Sequence, residues 1–104
     1  MDLPEACFSI MEVNQNSLRK EFIINNKLGL HARPAAMFVK LANGFESDIW
    51  VGQDDEQVNG KSIMGLMMLA AASGTTISIS AEGEDAAAAI LALGGLIEGG
   101  FEEN

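Results

Sequence analysis

Thr75-Thr76-Ile77-Ser78-Ile79-Ser80-Ala81-Glu82-Gly83-Glu84-Asp85 changes its hydrophobic period part-way along. From Thr75 to Ala81, Ile77 and Ile79 alternate with Ser78 and Ser80, the period of two that belongs to a strand with one face buried and the other in water. Glu82-Gly83 turns the chain. Ala86, Ala89, Ile90, Leu93 and Ile97 then follow at helical spacing and supply an inward stripe. A strand apolar on one face only belongs to an antiparallel sheet with one solvated side, and a helix of this kind covers the other side.

The same alternation recurs upstream. Arg19 to Asn25 reads as the first strand, with Phe22 and Ile24 on one face and Glu21 and Ile23 on the other. Ser47 to Gln53 reads as the second, Ile49 and Val51 inward, Asp48 and Trp50 outward. Asp54-Asp55 turns it into a third, Glu56 to Asn59, with Val58 inward. The apolar Ile23 and Trp50 on the watered face are ordinary surface residues or are covered by the N-terminal extension or a second molecule. Between the first two strands, Pro34, Ala35, Phe38, Val39 and Ala42 form the core stripe of a helix from Ala32 to about Asn43, with Ala36, Met37 and Lys40 pointing elsewhere. Gly44 is expected to end it in a positive-φ conformation. Ser62 is placed as the N-cap of a short helix to about Leu69 that buries Leu66 and Leu69 and leaves Ile63, Met64 and Met67 outside. In the last helix, Glu84 and Asp85 occupy a first turn that favours negative charge. Gly94-Gly95 costs about 1 kcal/mol per glycine, so fraying is expected toward Gly99-Gly100. The fold class is α+β, an open-faced sandwich in the order βαββαβα: a four-stranded antiparallel sheet covered on one face by three helices.

The 104 residues have room for one domain. We place it at residues 19–104, with 1–18 as a mobile N-terminal extension that carries Leu3, Phe8, Ile10, Met11 and Val13, and with either Met1 or Met11 as the start. A net charge of −9 disfavours nucleic acid and anionic membrane surfaces as partners. Lys27, Arg33, Lys40 and Lys61 would make a basic island if the fold gathered them around one site. A single cysteine cannot build an intrachain disulfide or a Cys-based zinc site, a single histidine argues against other metal clusters, and no cofactor is called for. No apolar run approaches a membrane span, and the start lacks the basic residues of a signal peptide, so no membrane insertion and a cytoplasmic location are expected.

The chemistry concentrates in Gly29-Leu30-His31-Ala32-Arg33-Pro34-Ala35-Ala36. A helix starting just after His31 presents unpaired first-turn N–H groups and the positive end of its dipole, which favour an anion and disfavour an imidazolium. Pro34 fits a first turn, where its missing N–H is no loss. A phosphoryl group on a ring nitrogen of His31 would meet those N–H groups and the planar fork of Arg33. A nucleotide-binding loop and a second catalytic group, which a self-contained kinase or hydrolase would need, are lacking.

These residues resemble the histidine-containing phosphocarrier (HPr) family of the phosphoenolpyruvate-dependent sugar phosphotransferase system. The resemblance runs from about Arg19 to the C-terminus and includes Asn59-Gly60-Lys61-Ser62-Ile63-Met64-Gly65 and Ile77 to Asp85. It implies a non-enzymatic relay in which His31 is phosphorylated at Nδ1 by enzyme I and donates to IIA-type permease domains, while Arg33 steadies the phosphate. It further implies that Ala36, Lys40, Ile63, Met64 and Met67 dock those partners. Ser62 matches a regulatory site for an HPr kinase, with a transcriptional regulator as a further partner. The protein is expected to act as a monomer. The competing readings are a carrier of the nitrogen-related branch and a regulatory binding module that carries no phosphate.

Overall fold

Each expected strand forms and pairs antiparallel with its neighbour. The computed structural model describes residues 16–102, so most of the expected extension, residues 1–15, lies outside the described residues. The elements are β1 (Ser17–Ile23), α1 (Ala32–Ala42), β2 (Asp48–Gln53), β3 (Glu56–Asn59), α2 (Ile63–Leu69), β4 (Thr76–Glu82) and α3 (Ala86–Glu98), closed by a 3₁₀ turn at Gly100–Glu102. The sheet order is β1-β4-β2-β3. Phe22 lies opposite Ile77, Val51 opposite both Ile79 and Val58, so the inward residues form continuous rows beneath the helices. No helix among the described residues is long and apolar enough to cross a membrane.

The first strand begins two residues earlier than Arg19. Ser17 and Leu18 pair with Glu82 and Ala81, and Leu18 packs against the core, extending the inward series through Phe22. The second strand starts at Asp48 because the Ser47 amide is taken by the Asp85 carboxylate at 3.0 Å.

In α1 the buried residues are Pro34, Ala35, Phe38, Val39 and Ala42, the predicted stripe. Met37 departs from expectation by packing half-buried against the core. Gly44 keeps an ordinary backbone, since the helix closes by tightening: its N–H donates to the Leu41 carbonyl at 3.0 Å. The Ser62 hydroxyl caps α2, accepting from the Gly65 amide at 3.0 Å, with Leu66 and Leu69 buried below.

Two features of α3 differ from the sequence reading. Gly94 is buried against the Phe22 ring, and a Cβ there would lie 2.5 Å from Phe22 Cζ, so this glycine lets helix and sheet approach. The C-terminal end is pinned where fraying was expected. Gly100 takes φ +68° and returns Phe101 to full burial, while Asn25 Nδ2 donates to the Glu98 carbonyl at 3.0 Å. Asp85 is the N-cap residue rather than part of the first turn. Its carboxylate leaves the helix dipole and accepts from the Ser47 hydroxyl, from the Glu46 amide at 2.9 Å and from the Ser47 amide, tying the α3 start to the chain entering β2. These bonds, the Ser47 hydroxyl first and the Glu46 amide second, hold the Asp85 carboxyl below the usual carboxylate range against the opposing effect of burial. On the watered face Ile23 is exposed and Trp50 more than a third exposed.

Candidate functional site

His31 occupies the N-cap position of α1, in extended backbone at φ −85° and ψ −169°, and its carbonyl accepts the first helical bond from the Ala35 amide at 3.0 Å. The loop before it is held from two sides. Asn26 is fully buried, and its Nδ2 donates to the Gly29 carbonyl at 2.9 Å; the Leu30 amide donates to the Ala71 carbonyl at 2.9 Å. Gly29 is required for this approach. It sits at φ +69°, and a Cβ would drive into the Ala71 carbonyl oxygen, with the Ala72 Cα 3.0 Å away. The residues after α2 therefore locate the histidine loop.

His31 is half-buried and Arg33 exposed on the first turn of α1. The imidazole lines an open cleft of about 290 Å³ with Leu28, Leu30, Met67 and Ala70. Ala70 caps α2 in the left-handed region at φ 53°. His31 thus stands at the positive end of α1, where unpaired first-turn N–H groups favour an anion, with Arg33 two residues on and apolar residues lining the cleft. Among the described residues no group of three or more His, Cys, Asp or Glu side chains is arranged to hold a metal ion.

The basic island forms only in part. Lys61 Nζ donates to the Phe45 carbonyl at 2.7 Å, just beyond the C-terminal end of α1, and Lys40 lies in the last turn of the same helix. An eleven-residue helix is roughly 16 Å long, so these two lysines sit at the far end from His31. Ser62 shares that far end through its neighbour Lys61, whereas Met67, later in α2, reaches the His31 cleft. Ala36 and Lys40 are exposed on α1. Ile63, Met64 and Met67 are exposed on α2, Met64 at 72%. The two helices pack on each other.

Two exposed apolar residues escaped the sequence reading. Leu28, 73% exposed, stands beside His31, and Met68, 75% exposed, extends the thioether surface toward β3. A leucine isolated between Lys27 and Gly29 was a signal for the first. Nothing in the helical spacing distinguished Met68.

A family model described as the PTS HPr component phosphorylation site matches residues 18–99. The phosphocarrier protein HPr of Neisseria meningitidis serogroup A is 54% identical over 86 residues, 83% of this chain and 97% of that protein. The HPr-like protein Crh of Halalkalibacterium halodurans is 49% identical over 78% of this chain and 96% of its own. A crystal structure of HPr-C-His from Thermoanaerobacter tengcongensis superposes with a TM-score of 0.81 at 50% identity, covering 84% of this chain and 98% of that one. With the fold, the phosphorylation-site model and these relatives in agreement, the chain belongs to the HPr family, the phosphoryl-relay proteins of the phosphotransferase system.

Proposed function

We propose that His31 accepts a phosphoryl group from phosphorylated enzyme I through Nδ1 and passes it to IIA-type domains of sugar permeases. The observation that carries this reading is the placement of His31 at the start of α1, in an open cleft, with Arg33 on the first helical turn. The Nδ1 lone pair attacks phosphorus as the bond from phosphorus to enzyme I breaks, and the same step in reverse geometry delivers the group to the acceptor. The transition state is loose, so the charge on the transferring oxygens needs fixed positive partners and excluded water. The first-turn N–H groups and Arg33 supply the first. A docked partner closing over Leu28 and Met67 supplies the second.

Ala36 and Lys40 of α1 with Ile63, Met64 and Met67 of α2 form the docking surface, where flexible thioethers adapt to more than one partner. Partners and relay operate in the cytoplasm, and the carrier acts as a monomer. Ser62 is the regulatory site. A phosphate there, placed by an ATP-dependent HPr kinase, adds about two negative charges at a helix N-terminus that tolerates them, beside a surface that then receives enzyme I less well. A transcriptional regulator is the reader of that phosphoserine.

Intact-mass spectrometry after incubation with phosphoenolpyruvate and enzyme I tests the relay: one acid-labile phosphate is expected, absent in His31→Ala. With ATP and HPr kinase an acid-stable phosphate is expected, absent in Ser62→Ala. The relative named Crh, an HPr-like protein, keeps a regulatory module as the competing reading. That reading takes over if enzyme I of the source organism leaves His31 unmodified. Transfer to nitrogen-branch IIA proteins in place of permease domains would move the assignment to that branch.

A further inference from the structure

Among the described residues, Asp54, Ala70, Phe101 and Glu102 adopt the left-handed backbone without being glycine, at φ between 53° and 62°. An L side chain is disfavoured there because its Cβ crowds the following carbonyl oxygen, so each instance calls for a compensating contact. For two of them the compensation is visible. Asp54 sits in the β2–β3 turn, where a short polar side chain tolerates the conformation, and Phe101 buries its ring completely. Glu102 ends the described chain. Ala70 has neither device: its side chain bears no polar atom, is exposed and joins no part of the core.

The backbone around Ala70 holds it in this conformation. Its N–H closes α2 on the Leu66 carbonyl at 3.3 Å. Immediately after it, the Ala71 carbonyl accepts from the Leu30 amide at 2.9 Å, and the Ala72 carbonyl accepts from the Thr75 amide at 3.1 Å and the Thr75 hydroxyl at 2.6 Å. The Gly74 amide donates to the Ile24 carbonyl at 2.7 Å, so the segment is tied to the chain on both sides of the turn that leads to His31. A left-handed residue is therefore imposed by the fold, and glycine would fill the position with less strain. Ala70 nonetheless carries a methyl, and it forms part of the cleft wall with Leu28, Met67 and His31.

We propose that Ala70 is a positioning residue for phosphoryl transfer, its methyl bounding the space in which the His31 imidazole can turn. The inference rests on the relay assigned to His31. Beside the imidazole the cleft is lined by leucine, methionine and alanine, so this wall has no hydrogen-bonding side chain and restrains the ring by bulk alone. Without the methyl the cleft widens next to the ring, which then samples directions that turn its nitrogen away from the first-turn N–H groups of α1. A displacement of about 1 Å in a reacting group costs up to about 100-fold in rate.

Ala70→Gly tests this, because stability and transfer are expected to move in opposite directions. The melting temperature should rise by about 4 °C as the left-handed strain is relieved, part of the gain being offset by the greater freedom of glycine in the unfolded chain. In a coupled assay with enzyme I the maximal transfer rate should fall by about 10-fold, with KM for phosphorylated enzyme I unchanged. Ala70→Ser, which keeps Cβ, should transfer at close to the parent rate. In the parent, a nuclear Overhauser effect is expected between the Ala70 methyl and a ring proton of His31. A glycine variant that transfers as fast as the parent overturns the proposal, as does a raised KM at unchanged maximal rate, which would make Ala70 a partner contact. An unchanged or lower melting temperature overturns it too, by removing the strain. If enzyme I leaves the parent itself unphosphorylated, the relay reading falls, while the Overhauser effect, which needs no partner, still decides whether the methyl meets the ring; its absence overturns the proposal.

Discussion

Gly94 and Gly95 are adjacent, both lie within α3, and substitution by alanine is expected to move stability in opposite directions. Alanine is about 1 kcal/mol better than glycine in a helix interior, so propensity alone would make both changes stabilising. At Gly95 nothing opposes this, because the new methyl meets no atom within 4 Å. At Gly94 the methyl would lie 2.5 Å from Phe22 Cζ, where carbon atoms normally rest about 3.5–4.0 Å apart, so the ring must retreat by about 1 Å. Phe22 is only 5% exposed and held in β1, with the Lys20 ammonium over its face, so the retreat disturbs packing on both sides. Overpacking of this kind costs about 1–3 kcal/mol, which leaves Gly94→Ala destabilised by roughly 1 kcal/mol net. The two variants should therefore differ by about 2 kcal/mol, which for a urea slope near 1 kcal/mol/M separates their midpoints by about 2 M at equal slope. In a Phe22→Leu background Gly94→Ala should turn stabilising, since the two sites are coupled through the ring. Urea unfolding followed by circular dichroism reads the parent and all four variants. A Gly94→Ala protein as stable as Gly95→Ala would refute the reasoning.

The Asp85 carboxyl is held below the usual range in the folded state, so its contribution is present above that range and disappears as pH falls through the folded value. Asp85→Asn should accordingly be less stable than the parent at pH 7, with the gap closing on acidification in thermal unfolding followed across pH; a gap independent of pH would contradict the assigned bonds. Gly29→Ala forces a left-handed alanine and a collision with Ala71, for a loss of about 2–4 kcal/mol. It should also slow phosphoryl transfer in a coupled assay with enzyme I by moving the His31 loop, and an unchanged rate would show that the loop is not located this way. Ser62→Ala should lose about 1 kcal/mol from the missing cap on Gly65, while Ser62→Asp, which keeps an acceptor, should lose less. Equal melting temperatures for Ser62→Ala and the parent would remove the cap from the account.

Periodicity carried most of the architecture. A pattern of two or of 3.6 is local, and it marks which face each element buries, so the α1 stripe, the inward strand residues and the Ser62 cap were legible before any coordinates. His31, Arg33 and Pro34 were legible for the same reason, since a helix start is a local event with local chemistry. Contacts between residues far apart in the chain were not. Nothing near Gly94 announces that Phe22 needs its missing side chain, and nothing near Asp85 announces that its carboxylate serves Ser47 and Glu46 rather than its own helix. Whether Lys61 would stand near His31 depended on the fold, and α1 sets its full length between them. Sequence by itself thus determined the elements, their buried faces and the position of His31, the residue to which the proposal assigns the chemistry, because each depends on neighbours along the chain. Tertiary structure alone decided which glycine is a packing site, where the charges gather and how the end of α3 is held, because those depend on distances that only the closed fold defines.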